Sequence, residues 1–118
     1  MCILAIQYKT ARDAPILVAQ NREESYDRPT QIPRIQAGRP RVICGIDRKG
    51  GGTWLGVNQF GLFAAVANRP KTVIPPDARS RGLLCRELLH VDNAGKAADH
   101  AAKELSPGRY DGANSVVA

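Results

Sequence analysis

Aromatic side chains are scarce in this chain, with two Phe, three Tyr and one Trp among 118 residues. So few rings supply no base-stacking platform of the kind an RNA-binding sheet carries, and the basic residues are scattered rather than striped, which predicts no nucleic-acid partner. Long apolar runs are missing as well. Stretches such as 62–67 fall far short of the about 20 residues that span a bilayer, and the run from Cys2 to Ile6 gives way at once to Gln7, Tyr8 and Lys9 with no basic region before it. Neither a transmembrane segment nor a signal peptide is expected, and the location predicted is cytoplasmic. Cys2, Cys44 and Cys85 form no CxxC pair, so free thiols in a reducing compartment are expected. His90 and His100 stand ten positions apart without an acidic cluster, and no metal site or cofactor is predicted. Gly50-Gly51-Gly52 lacks both the GxxxxGK[ST] and the GxGxxG frame and reads as a flexible turn.

What is present has the length of one domain, 1–118, with 43% apolar and 24% charged residues, an ordinary globular balance. Seventeen Lys and Arg against eleven Asp and Glu give a net charge of +6, which favours phosphorylated or otherwise acidic ligands. Cys2 to Tyr8 and Pro15 to Ala19 are rich in Ile, Leu and Val and read as a hairpin. From Asn21 to Arg41 the chain is polar, carries Pro29, Pro33 and Pro40, and reads as a long loop. Arg41 to Asp47, Thr53 to Asn58 and Leu62 to Asn68 are three short strands, the last two joined by the Asn58-Gln59-Phe60-Gly61 turn, and a meander is the simplest topology. Leucines at helical spacing predict a helix from Arg81 to His90 with Ser80 as N-cap. A second helix, capped by Asp92 or Asn93, buries Ala97, Ala98, Ala101, Ala102 and Leu105 and ends at Ser106-Pro107-Gly108. Ser115 to Ala118 opens one more strand. Strands followed by helices make an α+β order.

The residue with the most chemical potential is Cys2. If Met1 is removed, its thiol and a free α-amine lie a bond or two apart, and an amine with a pKa of about 7.7–8.0 can serve as base for the neighbouring thiol. Acyl transfer there also needs an oxyanion donor and groups that orient the amine. Asn58, at the tip of its strand, offers a side-chain N–H, while Asn21, Arg22 and Glu23 leave the second strand beside the first. Each has a plainer reading: Cys2 as a small strand residue, Asn58 as a turn former, Arg22 with Glu23 and Glu24 as a solvated charge cluster. Trp54, Cys44 and Cys85 read as core.

The ordered set Met1-Cys2, Asn21-Arg22-Glu23-Glu24, Tyr26 to Thr30, Gly51 to Asn58, Gly61, Phe63-Ala64-Ala65, Asn68 and Ser80-Arg81-Gly82 closely resembles the NRDE family, also called the transport and Golgi organisation family. That resemblance implies an N-terminal-nucleophile-hydrolase-like αββα sandwich, here partial, with antiparallel strands followed by two helices. It also implies hydrolysis of an amide or related C–N bond at Cys2, with Asn21, Arg22, Glu23 and Asn58 serving the nucleophile. Two departures stand out: Glu23 where the family has Asp, and Ile46 where it often has Arg. The family usually runs to about twice this length, still within one domain, so the chain is expected to be truncated at its C-terminus and inactive alone. The alternative is a non-enzymatic protein that handles haem, lipid or acyl-CoA. Either way the partner is a small molecule, and bare strand edges predict self-association.

Overall fold

The computed structural model describes residues 2–118. The fold is α+β, with seven strands in two antiparallel sheets and two helices. Strands β1 (Ile3–Ala11) and β2 (Ala14–Asn21) form the predicted hairpin, in a register that sets Ile3 opposite Asn21 and Tyr8 opposite Ile16. The second sheet has the order β3-β4-β5-β6-β7. Its central meander is β4 (Val42–Asp47), β5 (Leu55–Asn58) and β6 (Phe63–Asn68), as the alternation of the sequence requires.

Strand β3 (Thr30–Gln36) corrects the long loop expected between Asn21 and Arg41. Pro33 argued against a strand because it cannot donate to a ladder. It is accommodated because β3 lies at the sheet edge and its register on β4 shifts between Gln31 and Arg34, where Pro33 falls. At the other edge β7 (Ala113–Val117) pairs with β6, so the chain returns to the sheet after both helices.

Helix α1 (Arg81–Leu88) follows Ser80, which occupies the N-cap position without a side-chain capping bond. Helix α2 (Ala94–Leu105) is capped by Asn93, whose side chain accepts from the Lys96 N–H at 2.9 Å. The helices cover one face of the large sheet. Leu84, Cys85, Leu88, Leu89, Ala97 and Ala101 pack with Val42, Cys44, Ala64 and Val66 in a single buried cluster, each fully buried leucine contributing about 1.5–3 kcal/mol. Gly56 lets α1 approach, since a Cβ there would fall 2.6 Å from a Leu89 methyl.

The opposite face is unevenly covered. Phe63 and Ala65, which alternate with Ala64 and Val66, are buried, whereas Ile35, Ile43 and Val57 remain more than a third exposed. The hairpin is joined to β6 through Gln20, whose Nε2 donates to the Val66 carbonyl at 3.0 Å. Its own Ile3, Ile6, Tyr8 and Leu17 are exposed. No helix among the described residues is long and apolar enough to cross a membrane.

Candidate functional site

The start of β1, the chain leaving β2, the ends of β4 and β6 and the start of α1 converge on one cleft of about 270 Å³. Cys2 lies on its wall, half-buried, because the hairpin register brings the first residues of β1 beside the Asn21–Glu24 segment. The Glu23 backbone N–H donates to Cys2 Sγ at 3.4 Å, and the Glu23 carbonyl lies 3.6 Å from the same sulfur. Arg22 stacks its guanidinium over the Trp54 ring at 4.7 Å, donates to Thr30 Oγ1 at 3.3 Å, and stands 3.8 Å from the Glu24 carboxylate. Trp54, read from the sequence as core, is thus a half-buried platform for a cleft arginine.

Beneath these residues Arg28 grips Asp47 through three contacts of 2.7–3.1 Å and reaches Glu24 at 3.6 Å. Asp47 also accepts from the backbone N–H groups of Lys49 and Gly50. One carboxylate therefore joins the Arg22–Pro29 segment to the glycine turn. The Arg28 guanidinium, aided by those two N–H groups and opposed by burial, holds the Asp47 carboxyl below the usual carboxylate range. A lowered folded value means that its stabilisation is complete above the unfolded value near about 3.9 and is lost as pH falls through the folded one. An Asp47→Asn variant is accordingly expected to lose about 2 kcal/mol at pH 7 and progressively less as pH falls below about 3.9, a trend that urea titrations over a descending pH series will show.

Of the five residues that sequence reasoning put forward, Cys2, Arg22 and Glu23 line this cleft. Asn21 is exposed at the end of β2 and does not line it. Asn58 lies at the far end of β5, 5% exposed, with its side chain fully engaged. Its Nδ2 donates to the carbonyls of Leu89 at 3.1 Å and Val91 at 2.7 Å, and its Oδ1 accepts from the N–H groups of Phe60 and Leu62. Both Asn58 N–H donors are therefore engaged, and the structure does not bring this residue, expected to hold an oxyanion, to the cleft, which opens at the opposite end of the strand.

Asn68, Ser80 and Arg81 line the cleft without having been proposed for it. Their signal was present, since all three stand among the residues that carry the family resemblance. Arg81 is held by Asp111 at 2.8 Å and by the Gly112 carbonyl at 2.9 Å. Cys44 on β4 and Cys85 on α1 are both buried in the core between sheet and helix, and burial raises both thiols, that of Cys85 to about 12, which disfavours their reactive thiolate forms. No group of three or more His, Cys, Asp or Glu among the described residues is arranged to hold a metal ion.

The family profile described as Transport and Golgi organisation 2 matches residues 1–116. The chain belongs to that family. It is 30% identical over its whole length to the Transport and Golgi organization 2 homolog of Mus musculus, of which it spans 45%. The Homo sapiens homolog is 31% identical over 78% of this chain and is spanned for 36% of its own length. As a member of the Transport and Golgi organisation 2 family, the chain thus spans less than half of each of these two relatives.

Proposed function

We propose that the Cys2 cleft is a hydrolytic site of the N-terminal-nucleophile type that acts on the amide or related C–N bond of a small polar substrate. The observation that carries this reading is the sulfur of Cys2 accepting the Glu23 N–H at 3.4 Å in a cleft walled by Arg22, Asn68 and Arg81. With Met1 removed, the α-amine of Cys2 takes the thiol proton, the thiolate attacks the substrate carbonyl carbon, and the C–N bond breaks as that proton passes to the leaving amine. Water then cleaves the resulting thioester and regenerates the thiol. Asn68 takes the oxyanion role, as the cleft-lining side chain with an amide N–H to offer. Arg22, its orientation fixed on Trp54, positions the substrate.

The cleft's size, about 270 Å³, supports a small substrate rather than haem or an acyl chain, because pockets for drug-sized ligands run to about 300–1,000 Å³. Mass spectrometry of the purified chain is expected to show Cys2 as its first residue. Iodoacetamide at pH 7 is then expected to modify Cys2 faster than it modifies glutathione, because the α-amine beside the thiol can take its proton as the sulfur attacks. Glutathione is the proper reference, since Cys44 and Cys85 are shielded in any case. Retention of Met1, or a Cys2 rate no higher than that of glutathione, would count decisively against the mechanism.

A further inference from the structure

A second concavity lies at the other end of the same sheet. Strand β4 runs from Val42 at this end to Asp47 at the Cys2 cleft, five residue steps or about 17 Å of strand. Here the β3–β4 connection, the β5–β6 turn and the α1–α2 connection enclose a groove of about 760 Å³, whose lining includes Arg39, Arg41, Phe60, His90, Asp92 and Lys96.

The groove is held in shape by hydrogen bonds. Gln59 donates its backbone N–H to the Arg41 carbonyl and accepts the Arg41 N–H on Oε1, both at 2.9 Å. The buried Asn58 amide then ties the β5–β6 turn to Leu89 and Val91 of the α1–α2 connection. All three walls are therefore fixed to one another before any ligand arrives, which lowers the ordering cost of binding. Asn58 thus helps to frame this groove.

The electrostatics are one-sided. Lys96 is matched by Asp92 at 2.8 Å, but neither Arg39 nor Arg41 has a carboxylate within ion-pairing distance among the described residues. Three cations thus face one carboxylate. His90 turns Nδ1 to the Arg86 carbonyl at 2.8 Å, which leaves Nε2 as its remaining polar atom. Phe60, 55% exposed, adds an apolar flank. Two unmatched guanidinium groups on a fixed frame are suited to a ligand with several phosphate oxygens, which they can engage bidentately.

We propose that this groove is a binding site for a phosphorylated molecule, separate from the Cys2 cleft and independent of any chemistry there. The test is an amide chemical-shift titration of the full chain with inorganic pyrophosphate at low ionic strength. Arg41, Gln59, Phe60 and Lys96 are expected to shift together and saturably. An Arg39→Gln/Arg41→Gln double variant is expected to weaken binding at least tenfold, while Arg12→Gln, the same kind of charge loss at the hairpin tip, leaves it unchanged. Matching urea midpoints for the three proteins will show that the variants are folded, since neither Arg39 nor Arg41 uses its side chain in a hydrogen bond among the described residues. Co-sedimentation with phosphatidylcholine vesicles containing phosphatidic acid separates the sources of the phosphate. Vesicle binding displaced by pyrophosphate supports a lipid headgroup, and pyrophosphate binding without vesicle binding supports a soluble ligand. Non-saturating shifts, or equal losses from Arg12→Gln and the double variant, would overturn the proposal.

Discussion

Replacing Asn58 with alanine is expected to cost about 3 kcal/mol, read as a lower urea midpoint at unchanged slope. Four hydrogen bonds end on this one buried side chain. Alanine would leave the Phe60 and Leu62 N–H groups and the Leu89 and Val91 carbonyls to find other partners, where water reaches only some of them. The isosteric Asn58→Asp variant is the sharper probe. Its carboxylate would still accept from Phe60 and Leu62, but it would face the Leu89 and Val91 carbonyl oxygens with no proton to give. At neutral pH it is therefore expected to be at least as unstable as the alanine variant. It should recover on acidification, because the protonated acid can donate to one of those carbonyls. Equal stability of wild type and Asn58→Asp at pH 7 would show that the bonds to the α1–α2 connection contribute little.

Gly52→Ala is expected to destabilise by more than about 3 kcal/mol, in the class of severe overpacking. A Cβ at Gly52 would lie 2.1 Å from the Gly82 carbonyl carbon and 2.4 Å from the Leu83 nitrogen. Both are backbone atoms at the start of α1, so no rotamer change can relieve the clash. The segment is pinned there by the Thr53 N–H, which donates to the Gly82 carbonyl at 2.9 Å. Gly61→Ala is the natural comparison: nothing lies within 4 Å of its added carbon, and only its φ of +86° penalises the change. A cost of about 1 kcal/mol is expected there. Similar losses at both positions would mean that α1 can slide away from the glycine turn.

The Gly50–Gly52 turn shows where the sequence was legible and where it was not. Its lack of a phosphate-loop frame was readable from spacing alone. That Gly52 is a contact surface for a helix thirty positions later was not, because close approach between distant segments leaves no local trace. The hairpin, the central meander and both helices were legible because their apolar spacing follows the period of the element they form. Strand β3 was missed because Pro33 and the polar residues around it outweigh Ile32 and Ile35 in any local reading, and only pairing with β4 makes the segment a strand. That Cys2, Arg22 and Glu23 would be neighbours could be foreseen because a hairpin register is a short-range property. Asn68 and Asp47 reach the same cleft from the ends of β6 and β4, which depends on how two sheets meet. Asn58 illustrates the converse: side-chain type and turn position suggested a donor, while burial and four partners, invisible in sequence, determine its use.

The two-stranded hairpin has a further consequence for Cys2. Each of its strands has one neighbour, and a sheet of fewer than three strands is marginal on its own. Amide hydrogens along β1 and β2 should therefore exchange with solvent deuterium faster than those of β4, β5 and β6, by fraying rather than by global unfolding. Cys2 directly precedes β1, so the timing of that expected fraying, and not only the arrangement of the closed cleft, would govern how often the sulfur is fully accessible.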